Sequence, residues 1–112
     1  MDSPPPPPAS PAAIWHLTRD GVPARRGAEA FVHCSFTAQL AGTLAVHFAG
    51  AQDMVLLRLR PERLGARLVL EPSRGGALFP HVYGEIEDAD IAARVPLRRG
   101  ADGSFDLSAL PA

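Results

Sequence analysis

One stretch of this 112-residue sequence is long and periodic enough to form a substantial helix. In FTAQLAGTLAVHFAG (36–50), Leu40, Leu44 and Phe48 recur at i, i+4 and i+8, the spacing that lines up side chains on one helical face. Around it lie strand-sized runs: IWHLT (14–18), FVHCS (31–35), DMVLLRLR (53–60), ARLVLEP (66–72), HVYGEI (81–86) and DIAARVPL (90–97). DMVLLRLR is apolar on both faces until Arg58 and reads as a central strand. Pro96 confines DIAARVPL to a sheet edge or a strand end. PERLG (61–65) adds one helical turn, with Pro61 at its start and Gly65 at its exit. The expected fold is α+β: a small, mostly antiparallel twisted β-sheet of five or six strands with one main helix.

Three regions follow along the chain. Residues 1–13, MDSPPPPPASPAA, read as a disordered Pro-rich tail, since successive prolines favour polyproline II and cannot donate to a sheet. A ligand for a proline-binding module is the sharper alternative. Residues 14–98 read as a single α+β domain, with RDGVPARRGAEA as a loop inside it, and residues 99–112 as a C-terminal turn and tail.

Composition narrows the class of function. No apolar run approaches the ~20 residues that span a bilayer, and the N-terminal stretch lacks the basic end and apolar core of a signal peptide. The single cysteine excludes an internal disulfide and fits a reducing, cytoplasmic setting. A net charge of −1 gives no bulk pull toward nucleic acid or anionic membrane. All 11 basic residues are arginine, which a GC-rich genome explains better than any selection for bidentate chemistry.

Strand parity locates a site. Successive strand residues face opposite ways, so Phe31, His33 and Ser35 share a face opposite Val32 and Cys34. By the same rule His81, Tyr83 and Glu85 share a face, Glu71 stands with Val69, and His16 stands with Thr18 opposite Trp15 and Leu17. Four strands thus repeat one arrangement, apolar on one side and His, Ser, Tyr or Glu on the other. If the apolar sides pack inward, His16, His33, Glu71, His81 and Tyr83 converge on one polar cleft. An antiparallel sheet with one merely wet face is the bland alternative.

Other patterns carry less. Cys34 is adjacent to His33 in the strand, so the two cannot form a nucleophile–base pair, and Cys34 reads as a small buried residue. His47 falls late in the helix, where packing and the dipole explain it. Arg74 beside Gly75 and Gly76 could hold an anion, although SRGG lacks the spacing of a phosphate-binding loop. His33, His81 and Glu71 are chemically acceptable as a metal triad, but no paired-histidine spacing supports one, and no metal ligands are assigned.

The segments IWHLT, EAFVHCSF, MVLLRL, LVLEP and GGALFPHVYGEI together resemble the bacterial domain-of-unknown-function family numbered 952, across about residues 14–90. The segment RDGVPARRG is shorter than the helix that family usually carries after its first strand. The family's fold is similar to that of ADP-ribosyltransferases, including the NAD-using RNA 2′-phosphotransferases. The resemblance implies a nucleotide cleft in which NAD is a possible cofactor, His16 contacts a ribose, and Glu71 assists transfer.

Two functions lead on these residues, with metal-assisted hydrolysis by His33, His81 and Glu71 as a third. In the first, the chain binds NAD or a related nucleotide and transfers ADP-ribose. His33, Glu71 and His81 are then the catalytic candidates, and His16, Ser35, Arg74 and Tyr83 bind substrate. Glu71 would stabilise positive charge at the ribose carbon or deprotonate the nucleophile, and His33, held by Ser35, would carry a proton. In the second, a non-catalytic module holds a small ligand in the same cleft. Either way the expected partner is a small molecule or nucleotide, with no membrane.

Overall fold

The computed structural model of the chain describes residues 12–24 and 31–111. The Pro-rich tail, apart from Ala12 and Ala13, and residues 25–30 of the loop lie outside the described residues. In order, the elements are β1 (Ile14–Thr18), β2 (Val32–His33), β3 (Ser35–Phe36), α1 (Leu40–His47), β4 (Asp53–Leu59), α2 (Pro61–Leu64), β5 (Leu68–Pro72), β6 (Leu78–Val82) and β7 (Ile91–Arg98). The class is α+β and every strand pairing is antiparallel, as the sequence implies. The described residues hold seven strands, however, in two sheets ordered β3-β1-β4-β7 and β2-β6-β5.

The split follows from one proline. The run FVHCS was expected as one strand, but it breaks at Cys34, passing from β2 in the smaller sheet to β3 in the larger. Cys34 donates its N–H to the Pro80 carbonyl at 3.0 Å. Pro80 has no N–H to give back, so the β2–β6 ladder ends there and the chain is released to pair with β1. HVYGEI also shifts: β6 runs over Leu78–Val82, leaving Tyr83 and Gly84 in a bend.

β4 shows why two layers form on the larger sheet. It lies between β1 and β7, and its alternate residues feed two cores. Met54 and Leu56 pack with Trp15, Leu17 and, from α1, Leu40 and Leu44. Leu57 and Leu59 pack with Val32, Cys34 and Val82 of the smaller sheet and with Leu64 and Ile86. Burying both faces explains a strand with no polar alternation. β7 is the sheet edge, where Pro96 is tolerated.

Helix α1 spans eight residues, ending at His47. No side chain caps its start, and the nearby Thr37 hydroxyl donates to the Pro111 carbonyl at 2.6 Å while accepting Trp15 Nε1–H at 2.8 Å. Residues 99–111 run back over this side, with Phe105, Leu107 and Leu110 against the core. Arg99 secures that return by donating to the carbonyls of Ala51 (2.8 Å), Phe48 and Ala49 (each 3.1 Å), at the end of α1. No helix among the described residues is long and apolar enough to cross a membrane.

Cys34 sits fully inside the core between the sheets, and burial pushes its thiol far above the ordinary range. The native protein is therefore expected to resist an aromatic disulfide reagent and to react only as denaturant unfolds it. Stoichiometric labelling within minutes under native conditions would contradict this packing.

Candidate functional site

The smaller sheet carries the site on the side away from its apolar core. Residues opposite one another in an antiparallel ladder share a face. His33 pairs with His81, and His81 with Val69; Glu71, two residues along β5, therefore stands on the same side. Tyr83 joins them by a different route from the one parity suggested. It lies beyond β6, where the chain bends through Gly84 at φ +131°. Its N–H donates to the Arg67 carbonyl at 2.8 Å, and Arg67 Nη1 donates to the Glu85 carbonyl at 2.9 Å. A Cβ on residue 84 would meet Arg67 Cδ at 3.2 Å, so glycine serves both the dihedral angle and the close approach.

The carboxylate of Glu71 is the centre. Its Oε1 accepts the Tyr83 hydroxyl at 2.7 Å and lies 2.8 Å from His81 Nδ1. The Tyr83 bond and then the His81 bond hold Glu71 below the usual glutamate range, while the same bond to Glu71 raises the phenol of Tyr83. Glu71 remains 34% exposed, whereas His81 is buried at 4%. Phe31 stacks on the His81 ring at 4.0 Å and 14°, and lies 5.3 Å from the Tyr83 ring. His33, exposed, stands edge-on to His81 at 5.1 Å and to Phe31 at 4.9 Å.

So His33, Glu71, His81 and Tyr83 come together. Phe31 belongs with them; its parity with His33 was visible, but an aromatic beside a strand start reads equally as core. The other sequence candidates stand elsewhere. His16 lies in the larger sheet, and both its ring nitrogens are engaged by backbone: the Ala24 N–H donates to Nε2 at 3.1 Å, and Nδ1 is 2.9 Å from the His33 carbonyl. Since Nε2 accepts, Nδ1 carries the proton and donates. Burial is the main reason His16 sits below the ordinary histidine range, with the nearby His33 imidazole adding to it against the backbone bond. His16 thus fixes the backbone of His33 and offers no ring nitrogen to a ligand.

Ser35 departs from expectation for the same reason that the strand breaks. After the crossing at Cys34 it pairs with Trp15, and its hydroxyl lies 2.9 Å from that of Thr43 on α1, so it does not hold His33. Arg74 is in the turn between β5 and β6, and its side chain lies outside the described residues. His47 is exposed at the end of α1. Among the described residues no group of three His, Cys, Asp or Glu side chains is placed to hold a metal ion.

Chemically, the cluster is an ionised carboxylate positioned by two donors, beside aromatic faces and an exposed imidazole. It can accept hydrogen bonds, favour developing positive charge and stack a planar group.

Residues 10–94 match the model of a family described as protein of unknown function (DUF952). The crystal structure of protein CC0527 from Caulobacter crescentus is similar at 30% identity and a TM-score of 0.73, over 86% of this chain and 95% of that one. The solution structure of CC0527 gives 31% identity and 0.68, over 81% and 89%. No curated protein matches the chain.

Proposed function

The chain belongs to the DUF952 family, and on that premise we propose that this sheet face binds a nucleotide of the NAD type, with ADP-ribosyl transfer as the chemistry its carboxylate supports. One observation carries the reading: Glu71, fixed by Tyr83 and His81 and held ionised, stays one-third exposed beside Phe31. A fixed anion next to an aromatic surface suits the step in which a ribose carbon becomes positive as a planar base departs. An ADP-ribosyltransferase-like fold and a cytoplasmic setting are part of this proposal; the latter rests on the single buried cysteine.

A second reading has its own support. His16, which should contact a ribose in a transferase, has both ring nitrogens bonded to backbone. That favours a module that binds the nucleotide without turning it over.

An amide NMR titration with NAD tests both, with AMP and inorganic phosphate as controls. Saturable shifts at His33, Glu71, His81 and Tyr83 with NAD, and none with phosphate, are the expected result. Silence at millimolar NAD would remove the nucleotide reading. Binding with no release of nicotinamide would leave the non-catalytic one.

A further inference from the structure

Two buried histidines make an internal comparison. His16 and His81 are 5% and 3% exposed, yet only His16 has both nitrogens partnered. At His81, Nδ1 meets Glu71, while Nε2 is buried and meets no hydrogen-bond partner among the described residues. The other buried polar side chains there are bonded: Thr18 to the Val55 carbonyl, Ser35 to Thr43, and Asp90 to the Glu87 N–H. A buried polar atom without a partner is uncommon and calls for an explanation such as catalysis or a ligand.

The neighbours fix which proton His81 carries. An ionised carboxylate only accepts, so the nitrogen 2.8 Å from Glu71 is the one that donates. Neutral His81 is then the Nδ1–H form, and Nε2 is a bare lone pair. The carboxylate behind it orients the ring and would pair with the imidazolium once formed, the logic of a carboxylate–histidine pair. The two hydrogen bonds to Glu71 Oε1 favour its ionised form, so the carboxylate is a weak proton acceptor itself.

We propose that His81 Nε2 is the proton-accepting atom of this site, kept bare by Glu71 to receive a hydroxyl of the ligand or of the attacking acceptor. It deepens the nucleotide reading by moving the base from Glu71 to His81 and naming the ligand group. A lone pair beside a carboxylate selects a donor and disfavours a phosphate, which presents acceptors and negative charge. Access to Nε2 requires side-chain movement, and the rings against His81 are Phe31, half-buried, and His33, exposed. In transfer from NAD the step balances. The hydroxyl oxygen bonds the ribose carbon and its proton passes to Nε2. The carbon–nitrogen bond breaks, and its electron pair leaves with the pyridinium, released as neutral nicotinamide.

The test is nitrogen-15 NMR of the imidazoles in the full chain, first free and then with adenosine, 2′,3′-dideoxyadenosine and inorganic phosphate. The expected free state has His81 Nδ1 protonated and Nε2 bare. Adenosine should move the Nε2 resonance and bind about ten-fold or more tightly than the dideoxy compound, with phosphate leaving Nε2 unmoved. Protonation at Nε2 in the free protein overturns the proposal, as does an equal or absent response to the two nucleosides. The parent reading fails separately. NAD shifts at the backbone of Glu71 and Tyr83 with Nε2 unmoved would keep nucleotide binding and discard the base; a response to adenosine without any to NAD would do the reverse.

Discussion

Asp90→Ala is expected to lower the melting temperature by roughly 10–20 °C, measured by circular dichroism or calorimetry. Asp90 is 1% exposed and ties together three segments. Its Oδ2 accepts the Glu87 N–H at 2.9 Å; its Oδ1 accepts Arg67 Nη2 at 3.2 Å and lies 3.6 Å from Arg63 Nε. Removing one partner of a buried ion pair costs about 3–5 kcal/mol. Here Arg67 is 34% exposed and can turn to water, so about 2–3 kcal/mol is the better expectation. At about 4–8 °C per kcal/mol for a domain of this size, the stated range follows. Asp90→Asn keeps an acceptor for Glu87 and should cost less. A shift below about 4 °C for the alanine variant would mean that the arginines are already satisfied by water.

The same carboxylate gives the fold a pH dependence of definite sign. Burial works to raise the Asp90 carboxyl, but the Glu87 N–H, Arg67 and Arg63 outweigh it and hold it low. A carboxyl depressed in the folded state contributes stability above its ordinary range and loses it as pH falls through the folded value. The stability difference between wild type and Asp90→Asn should therefore narrow on the acid side.

Asp90 also shows where the sequence runs silent. EDAD reads as a polar turn, and nothing in it distinguishes a solvated aspartate from one closed over by two arginines of a different segment. Strand and helix existence was legible because periodicity is local: β1, β4 and β7 lie where alternation, apolarity and Pro96 put them. The two-sheet division was not, because it depends on Pro80 failing to return a hydrogen bond to Cys34, a fact about pairing across the fold. That one event decided which site residues parity placed well. His33, Glu71 and His81 lie within one sheet and converge, whereas Ser35, beyond the crossing, and His16, in the other sheet, serve the packing. Tyr83 reached the cluster even though its strand assignment failed, since the bend at Gly84 returned it toward Glu71.

Glu71→Gln should then separate the geometry of the site from its chemistry. Tyr83 is the sole tyrosine of the chain, so the ultraviolet absorbance of tyrosinate reports this side chain without a label. In the wild type its bond to Glu71, with some desolvation and the adjacent negative charge, keeps the proton on the phenol to higher pH than usual. Glutamine removes the charge and weakens the acceptor, so the titration should move back down toward the ordinary phenol range. The interaction is intact between two limits: it is lost as pH falls through the depressed Glu71 value, and lost again as pH rises through the elevated Tyr83 value. An unmoved titration would show that Tyr83 does not bond Glu71 in solution, and the site as described would fall with it. If the carboxylate also stabilises positive charge on a ribose, release of nicotinamide from NAD should drop about a hundred- to a thousand-fold in the same variant. NAD binding would persist, because Phe31, His33 and His81 remain. A tyrosine that shifts while wild-type turnover is absent would assign Glu71 to binding alone.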